Sequence, residues 1–211
     1  MRDPLESNPA LRAVIEEYEA RAAREDELWS RLSLEEIRSR LDELLLPVGR
    51  AAATLMYVLV SEGKRQRILE VGSYYGYSTV WLAAAAAASD GQVTSLELRD
   101  YKTEYARERL ERAGLGARVR FRIGDALASL RELPGPFDFV LLDLWKELYI
   151  PVFELLQGKL APGALILADN MLEPQATRPQ ADAYRARVRA AAGMSSVLLE
   201  VGNGVELSRY G

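Results

Sequence analysis

From Arg67 to Tyr210 the chain alternates short apolar runs with helical segments, and that alternation constrains its fold more than any other feature. Residues 67–71 read as a short buried strand, 93–98 as a second, 119–123 as a third, 137–143 as a fourth and 164–168 as a fifth. Between them lie helical segments at 79–88, at 101–113 with Gly114 closing it, from 126 onward, at 150–160 and at 180–192. Strands separated by helices need crossover connections, and these put helices on both faces of a parallel sheet. Residues 197–201 and 205–209, joined by Gly202-Asn203-Gly204, read as a closing hairpin that makes one edge strand antiparallel. The expectation is a doubly wound α/β domain with a seven-stranded, mostly parallel sheet.

Helices precede the first strand. Asn8-Pro9 is a cap and first-turn pair, and Leu11, Val14, Ile15 and Tyr18 recur at helical spacing. Ser33-Leu34-Glu35-Glu36 is a capping box for a second helix, and residues 50–60 form an apolar third. We therefore divide the chain into a helical cap or dimerisation segment, 1–62, and a ligand-binding domain, 63–211. Leu28, Trp29, Leu32 and Leu34 suggest a surface for a homodimer, while a solvated amphipathic cover is the plainer alternative. The Ala-rich run at 83–88 is explained by a helix packed closely on the sheet.

Two residue types are missing, and both absences limit the chemistry. With no Cys, disulfides, thiolate nucleophiles and Cys-bound metals are excluded. With no His, Ser-His triads and His-bound zinc are excluded as well. Acid-base work falls to Asp, Glu, Lys or Tyr, and any metal must be held by oxygen, which suits Mg²⁺, Ca²⁺ or Mn²⁺. The net charge of -4 disfavours non-specific binding to nucleic acid or anionic membranes. The N-terminus has no apolar run of the secretory kind, and no stretch is long enough to span a bilayer, so a cytoplasmic location is expected.

Ligands of doubly wound sheets bind outside the carboxyl ends of the strands. The first strand runs into Glu70-Val71-Gly72-Ser73-Tyr74-Tyr75-Gly76-Tyr77-Ser78, where Gly72 and Gly76 permit a tight turn. The spacing is not that of a nicotinamide fingerprint. Glu97 ends the second strand, roughly 20 residues on, where an acid can take ribose hydroxyls. Asp125 follows the third strand and can accept from an exocyclic amine. Singly, such features are ordinary turns and helix caps; at three consecutive strand ends they describe an adenosine site.

Leu69-Glu70-Val71-Gly72 with Gly76-Tyr77-Ser78 resembles the first motif of class I S-adenosylmethionine-dependent methyltransferases. More narrowly, residues from about Ile68 to Tyr210 resemble the metal-dependent catechol and caffeoyl-CoA O-methyltransferase group, which implies a Rossmann-like fold. The resemblance implies that Gly72, Tyr74 and Ser78 hold the methionine end of S-adenosylmethionine, Glu97 the ribose, and Asp125 with Trp145 the adenine. Glu70, Gly76 and Asp143 complete the expected cofactor site.

The fourth strand ends in Asp143-Leu144-Trp145-Lys146 and the fifth in Asp169-Asn170. Both ends share one rim, so Asp143, Asp169 and Asn170 can converge as oxygen ligands for a divalent cation, Mg²⁺ before Ca²⁺ or Mn²⁺. A plain turn at Asp169-Asn170 is the alternative, and the same constellation marks the metal-dependent members of the resembled group. Lys146 is the candidate base: lysine can lose its proton when burial lowers its pKa, and arginine cannot. In a chain with only Lys64, Lys102, Lys146 and Lys159 among many arginines, its position stands out, although a surface lysine opening a helix is the simpler account. In Asp-x-Trp-Lys, the resemblance assigns that Lys the phenolic proton. Trp29, Tyr149 and Pro174 are candidates to wall an aromatic substrate, and Glu200 to bond its second hydroxyl. The expected function is metal-dependent methylation of a small catechol-like or other phenolic hydroxyl. A methyltransferase for hydroxylated tRNA bases, using Arg185, Arg187 and Arg189 on phosphates, is the runner-up, and a non-catalytic S-adenosylmethionine binder is third.

Overall fold

The computed structural model describes residues 4–29, 36 and 39–211, without the side chains of Leu28, Trp29 and Leu41. After one helical turn at Pro4–Ser7, the Asn8 side chain accepts the Leu11 N–H at 3.0 Å and caps α1 (Pro9–Trp29). Next come α2 (Gly49–Glu62), β1 (Arg67–Val71), α3 (Tyr77–Ser89), β2 (Gln92–Glu97) and α4 (Asp100–Arg112). They are followed by β3 (Val119–Ile123), α5 (Ala126–Glu132), β4 (Phe137–Leu142), α6 (Tyr149–Leu156) and β5 (Leu160–Ala168). Helix α7 (Arg178–Arg189) and the strands β6 (Met194–Leu199) and β7 (Val205–Tyr210) end the chain.

The seven strands form one sheet in the order β3-β2-β1-β4-β5-β7-β6. The first five run parallel, and β7 is antiparallel to both β5 and β6. This corrects one expectation: the antiparallel strand is not at the edge. β7 is inserted between β5 and β6, and β6 forms the edge. Its inner position requires β7 to bury Glu206 and Ser208. Glu206 is compensated by Arg185 at 3.0 Å and Arg189 at 2.8 Å, with Ser196 also bonded to it. Arg187 pairs with Glu154 at 2.6 Å. The three arginines considered for phosphate contact thus already face carboxylates.

Helix α3 is buried nearly all round, including Trp81, Leu82 and the run Ala83-Ala84-Ala85-Ala86. A helix without a polar face belongs between two layers, and here the small alanines let it lie between α2 and the sheet. Leu11, Val14, Ile15 and Tyr18 of α1 join the same core, each at most 2% exposed. The Tyr18 hydroxyl donates to the Tyr75 carbonyl at 2.6 Å, and Glu17 meets Arg109 and Arg112 of α4, each at 2.6 Å. α1 is therefore fastened to the domain rather than lying over it as a solvated cover. The expected second helix from Ser33 and the pairing surface at Leu28, Trp29, Leu32 and Leu34 lie outside the described side chains. Among the described residues no helix is long and apolar enough to cross a membrane.

β1 sits between β2 and β4, so strand order reverses there and the loops after β1 and β4 diverge to opposite faces, opening a crevice. Gly72 makes the crevice tight. Its φ is +92°, and a Cβ placed on it would stand 2.1 Å from the Asp143 carbonyl oxygen. Gly72→Ala combines left-handed strain with overpacking against backbone, so we expect a loss of about 2–4 kcal/mol in urea unfolding. Unchanged stability would contradict this close approach.

Candidate functional site

The carboxyl ends of β1 to β5 share one rim, and the loop over residues 72–76 lies at its centre. The N–H groups of Gly72 and Ser73 donate to the Leu96 carbonyl at 3.0 and 3.2 Å, tying the loop to β2. Gly76, at φ +89°, opens α3, and a Cβ there would stand 2.4 Å from the Cβ of Ala106. Beneath the loop, the fully buried Glu70 accepts hydroxyl bonds from Ser78, Thr79 and Ser95, each at 2.6 Å. Burial pushes its carboxyl up to about 7, against the pull of those three hydroxyls. Glu70 thus reaches the rim through the loop and helix it supports, and the Ser78 hydroxyl is turned toward it.

Glu97 is 6% exposed, and two backbone groups orient its carboxylate: the Tyr74 N–H at 2.8 Å and the Arg99 N–H at 3.0 Å. Desolvation raises its pKa, opposed by these bonds and by the charge of Lys102. Tyr74 adopts the left-handed conformation, with φ at +52°. Asp125 caps α5, accepting the Ala128 N–H at 2.8 Å. Around these polar groups stand three large apolar side chains that the fold leaves in solvent: Leu98 at 58% exposure, Ile123 at 49% and Trp145 at 62%. They follow or end β2, β3 and β4. Exposed apolar side chains beside polar groups at such a rim are a feature of binding sites.

A latch from the N-terminal region closes on this rim, and the sequence reading missed it. Lys102 of α4 is 1% exposed, with its ammonium 2.5 Å from Asp42 and 3.4 Å from the centroid of the Tyr74 ring. Asp42 also accepts the Tyr101 hydroxyl at 2.5 Å. The available signal was a lysine in a chain that otherwise uses arginine, although nothing local pointed to a partner sixty positions earlier.

The chemical side lies at the ends of β4 and β5. The Asp143 N–H donates to Val71 and the Asp169 N–H to Leu142, both at 3.0 Å, so the two residues continue their strands side by side. Asp169 is 0% exposed, and among the described residues neither of its carboxylate oxygens has a hydrogen-bond partner in good geometry, the backbone of Asn170 alone acting on it weakly. Burial raises the pKa of both carboxyls, and Asp143 adds its charge at Asp169. Asn170 adopts φ +55°, a conformation asparagine tolerates. Lys146 is 7% exposed; burial lowers its pKa to about 8, against the charges of Asp143 and Asp169. Its Nζ lies 2.5 Å from the Tyr149 hydroxyl.

A buried carboxylate with both oxygens orphaned is a costly arrangement unless a cation or proton completes it. Among the described residues no group of three or more His, Cys, Asp or Glu is placed to hold a metal. Asp143, Asp169 and Asn170 offer two carboxylates and an amide oxygen, a donor set that fits a hard divalent ion. Of the other sequence candidates, Tyr149 is fully buried and so cannot wall a substrate. Pro174 and Glu200 are exposed, and the Trp29 side chain is outside the described set.

Residues 19–209 match the model of a family described as O-methyltransferase. The chain is 34% identical over 146 residues to a catechol O-methyltransferase of Mycobacterium tuberculosis, covering 67% of this chain and 66% of that protein. It is 36% identical over 111 residues to a catechol O-methyltransferase of Niastella koreensis, covering 51% and 50%. The matched stretch thus spans half to just under two thirds of these relatives. The solved structure of an O-methyltransferase from Bacillus cereus in complex with SAH has a TM-score of 0.76 to this chain at 27% identity, covering 94% of this chain and 91% of that one.

The latch gives a prediction of its own. Asp42→Ala leaves the Lys102 ammonium buried without its carboxylate, so unfolding stability should fall by about 1.5–3 kcal/mol. Adding Lys102→Met should recover most of that loss. If Asp42→Ala costs the same in both backgrounds, the pair is not what holds residues 41–43 on the rim.

Proposed function

The chain belongs to the O-methyltransferase family, and from that premise we propose that it transfers a methyl group from S-adenosylmethionine to a hydroxyl of a small catechol-like or other phenolic acceptor, with a divalent cation required. The observation that carries this reading is the cluster of Asp143, Asp169 and Lys146, with two orphaned carboxylate oxygens and a lysine whose pKa burial has lowered to about 8.

S-adenosylmethionine would supply a sulfonium methyl as electrophile, and Asp143, Asp169 and Asn170 would hold a divalent ion whose positive charge would lower the pKa of an acceptor hydroxyl. The rest is done by side chains of this protein. Glu97, with its inner lone pairs bonded to the Tyr74 and Arg99 N–H groups, directs its outer ones at ribose hydroxyls. Leu98, Ile123 and Trp145 offer apolar walls for an adenine, and Asp125 at the same rim can accept from its amine. Gly72, Tyr74 and Gly76 shape the loop for the methionine end, with Glu70 and Ser78 bracing it from below. Lys146, as a neutral amine, would take the proton of the acceptor hydroxyl and become an ammonium, while the oxygen bonds to the methyl as its bond to sulfur breaks, leaving a neutral ether and S-adenosylhomocysteine. The acidic chain and the paired Arg185, Arg187 and Arg189 support a small-molecule acceptor over tRNA.

Two variants test this reading at separate points. Glu97→Ala should weaken S-adenosylmethionine binding by about 1.5–3 kcal/mol in calorimetry, the scale of lost charge-assisted bonds; an unchanged affinity would remove Glu97 from the cofactor site. Lys146→Arg keeps the charge but cannot act as a base at neutral pH, so kcat should drop by roughly 10²–10⁴ with cofactor affinity retained. Near wild-type kcat in Lys146→Arg would leave Lys146 an electrostatic role only.

A further inference from the structure

The amine of Lys146 is held by a second side chain. Tyr149 lies one turn further on, at the start of α6, fully buried, with its hydroxyl 2.5 Å from Lys146 Nζ. That hydroxyl is also 3.1 Å from the carbonyl oxygen of Leu142 and 3.1 Å from that of Asp169. One carbonyl belongs to the last residue of β4, beside Asp143, and the other to Asp169 itself. The Tyr149 ring is fixed in turn by Tyr184, edge to face, with centroids 5.3 Å apart and planes at 85°.

With Lys146 as an ammonium, the hydrogen-bond inventory of these groups fixes which of them donates. A phenol has one proton to donate and accepts through its oxygen, whereas a carbonyl only accepts. The Tyr149 proton therefore goes to one of the two carbonyls, and its oxygen accepts from Lys146. An ammonium has only donors; a neutral amine keeps two N–H donors and one lone pair. Two carbonyls compete for the Tyr149 proton, so an amine that keeps one N–H on Tyr149 has its lone pair directed away from the phenol. The same hydroxyl ties that amine to the backbone of both carboxylate-bearing strand ends.

We propose that Tyr149 is a positioning residue for Lys146, fixing the direction of its lone pair relative to Asp143 and Asp169. The proposal rests on the reading of Lys146 as the proton acceptor. In the step itself the Lys146 amine gains the acceptor's hydroxyl proton and becomes an ammonium, while Tyr149 keeps its own proton on a carbonyl and continues to accept from Lys146. A ring that merely filled space would do its work equally well as phenylalanine.

Tyr149→Phe removes one oxygen and keeps the ring, and Tyr184→Phe serves as the control, because it leaves the Lys146 contact intact. We expect Tyr149→Phe to lower kcat by about 10–100-fold, the scale of a misdirected reacting group. KM for a simple catechol and the calorimetric Kd for S-adenosylhomocysteine should stay within about twofold, and Tyr184→Phe should keep wild-type kcat. In a Lys146→Arg background, Tyr149→Phe should cause no further loss, since there is no amine left to direct. Wild-type kcat in Tyr149→Phe, with Lys146→Arg impaired, overturns the positioning role and spares the base. A loss that multiplies with that of Lys146→Arg, or one matched by Tyr184→Phe, also overturns it. Wild-type kcat in Lys146→Arg alone removes the base and this inference together.

Discussion

The close approach of Gly72 to the Asp143 carbonyl holds the two halves of the rim in one register. On one side of that contact lies the loop that can cradle a cofactor; on the other, the strand end that carries the reactive cluster. No residue with a Cβ fits between them, so the distance from loop to strand end is set by backbone against backbone. Glu70 reinforces it from inside, bonding Ser78 and Thr79 at the start of α3 and Ser95 on β2 with one buried carboxylate. Glu70 thus ties loop, helix and two strands together, which is what alignment of a methyl donor with an acceptor would demand.

The electrostatics of the rim divide along the same line. Glu97 is buried but satisfied by backbone N–H groups, so it can remain an acceptor for hydroxyls. Asp169 is buried with neither carboxylate oxygen hydrogen-bonded in good geometry among the described residues, and Lys146 is buried and held by a neutral phenol. Carboxylates left open in this way cost stability in the free protein. Under the proposed function a divalent cation would complete Asp169, the usual bargain of a functional site against its fold. The latch of Asp42 on Lys102 uses opposite charges for a different purpose, pinning residues 41–43 over the tyrosines of the cofactor loop.

Much of this was legible in the sequence, and the exceptions have physical reasons. β1 and β3 fall where apolar periodicity and turn residues put them, because both are short strands with sharp limits. β5 begins earlier than expected, at Leu160, because Pro162-Gly163 reads as a turn but sits within a strand whose pairing with β4 shifts register between Phe137 and Phe139. The inner place of β7 was hidden for a related reason. Its buried Glu206 and Ser208 look like surface residues until Arg185 and Arg189 are seen to neutralise the former. At the rim, topology alone brings Glu97, Asp143 and Asp169 to neighbouring strand ends, with Lys146 three residues past Asp143. Tyr149 and the Asp42–Lys102 pair were not legible in their roles. Tyr149 looks like any aromatic of a helix, and Asp42 meets Lys102 only through tertiary packing that no local pattern encodes.

The most direct measurement is transfer of a labelled methyl from S-adenosylmethionine to a panel of catechols and to bulk tRNA, with added Mg²⁺ and after chelation, alongside calorimetry of cofactor binding in both conditions. The account predicts label on a catechol hydroxyl with Mg²⁺, none after chelation, and cofactor affinity largely preserved throughout. Label on tRNA alone, or catechol methylation undiminished by chelator, would contradict it.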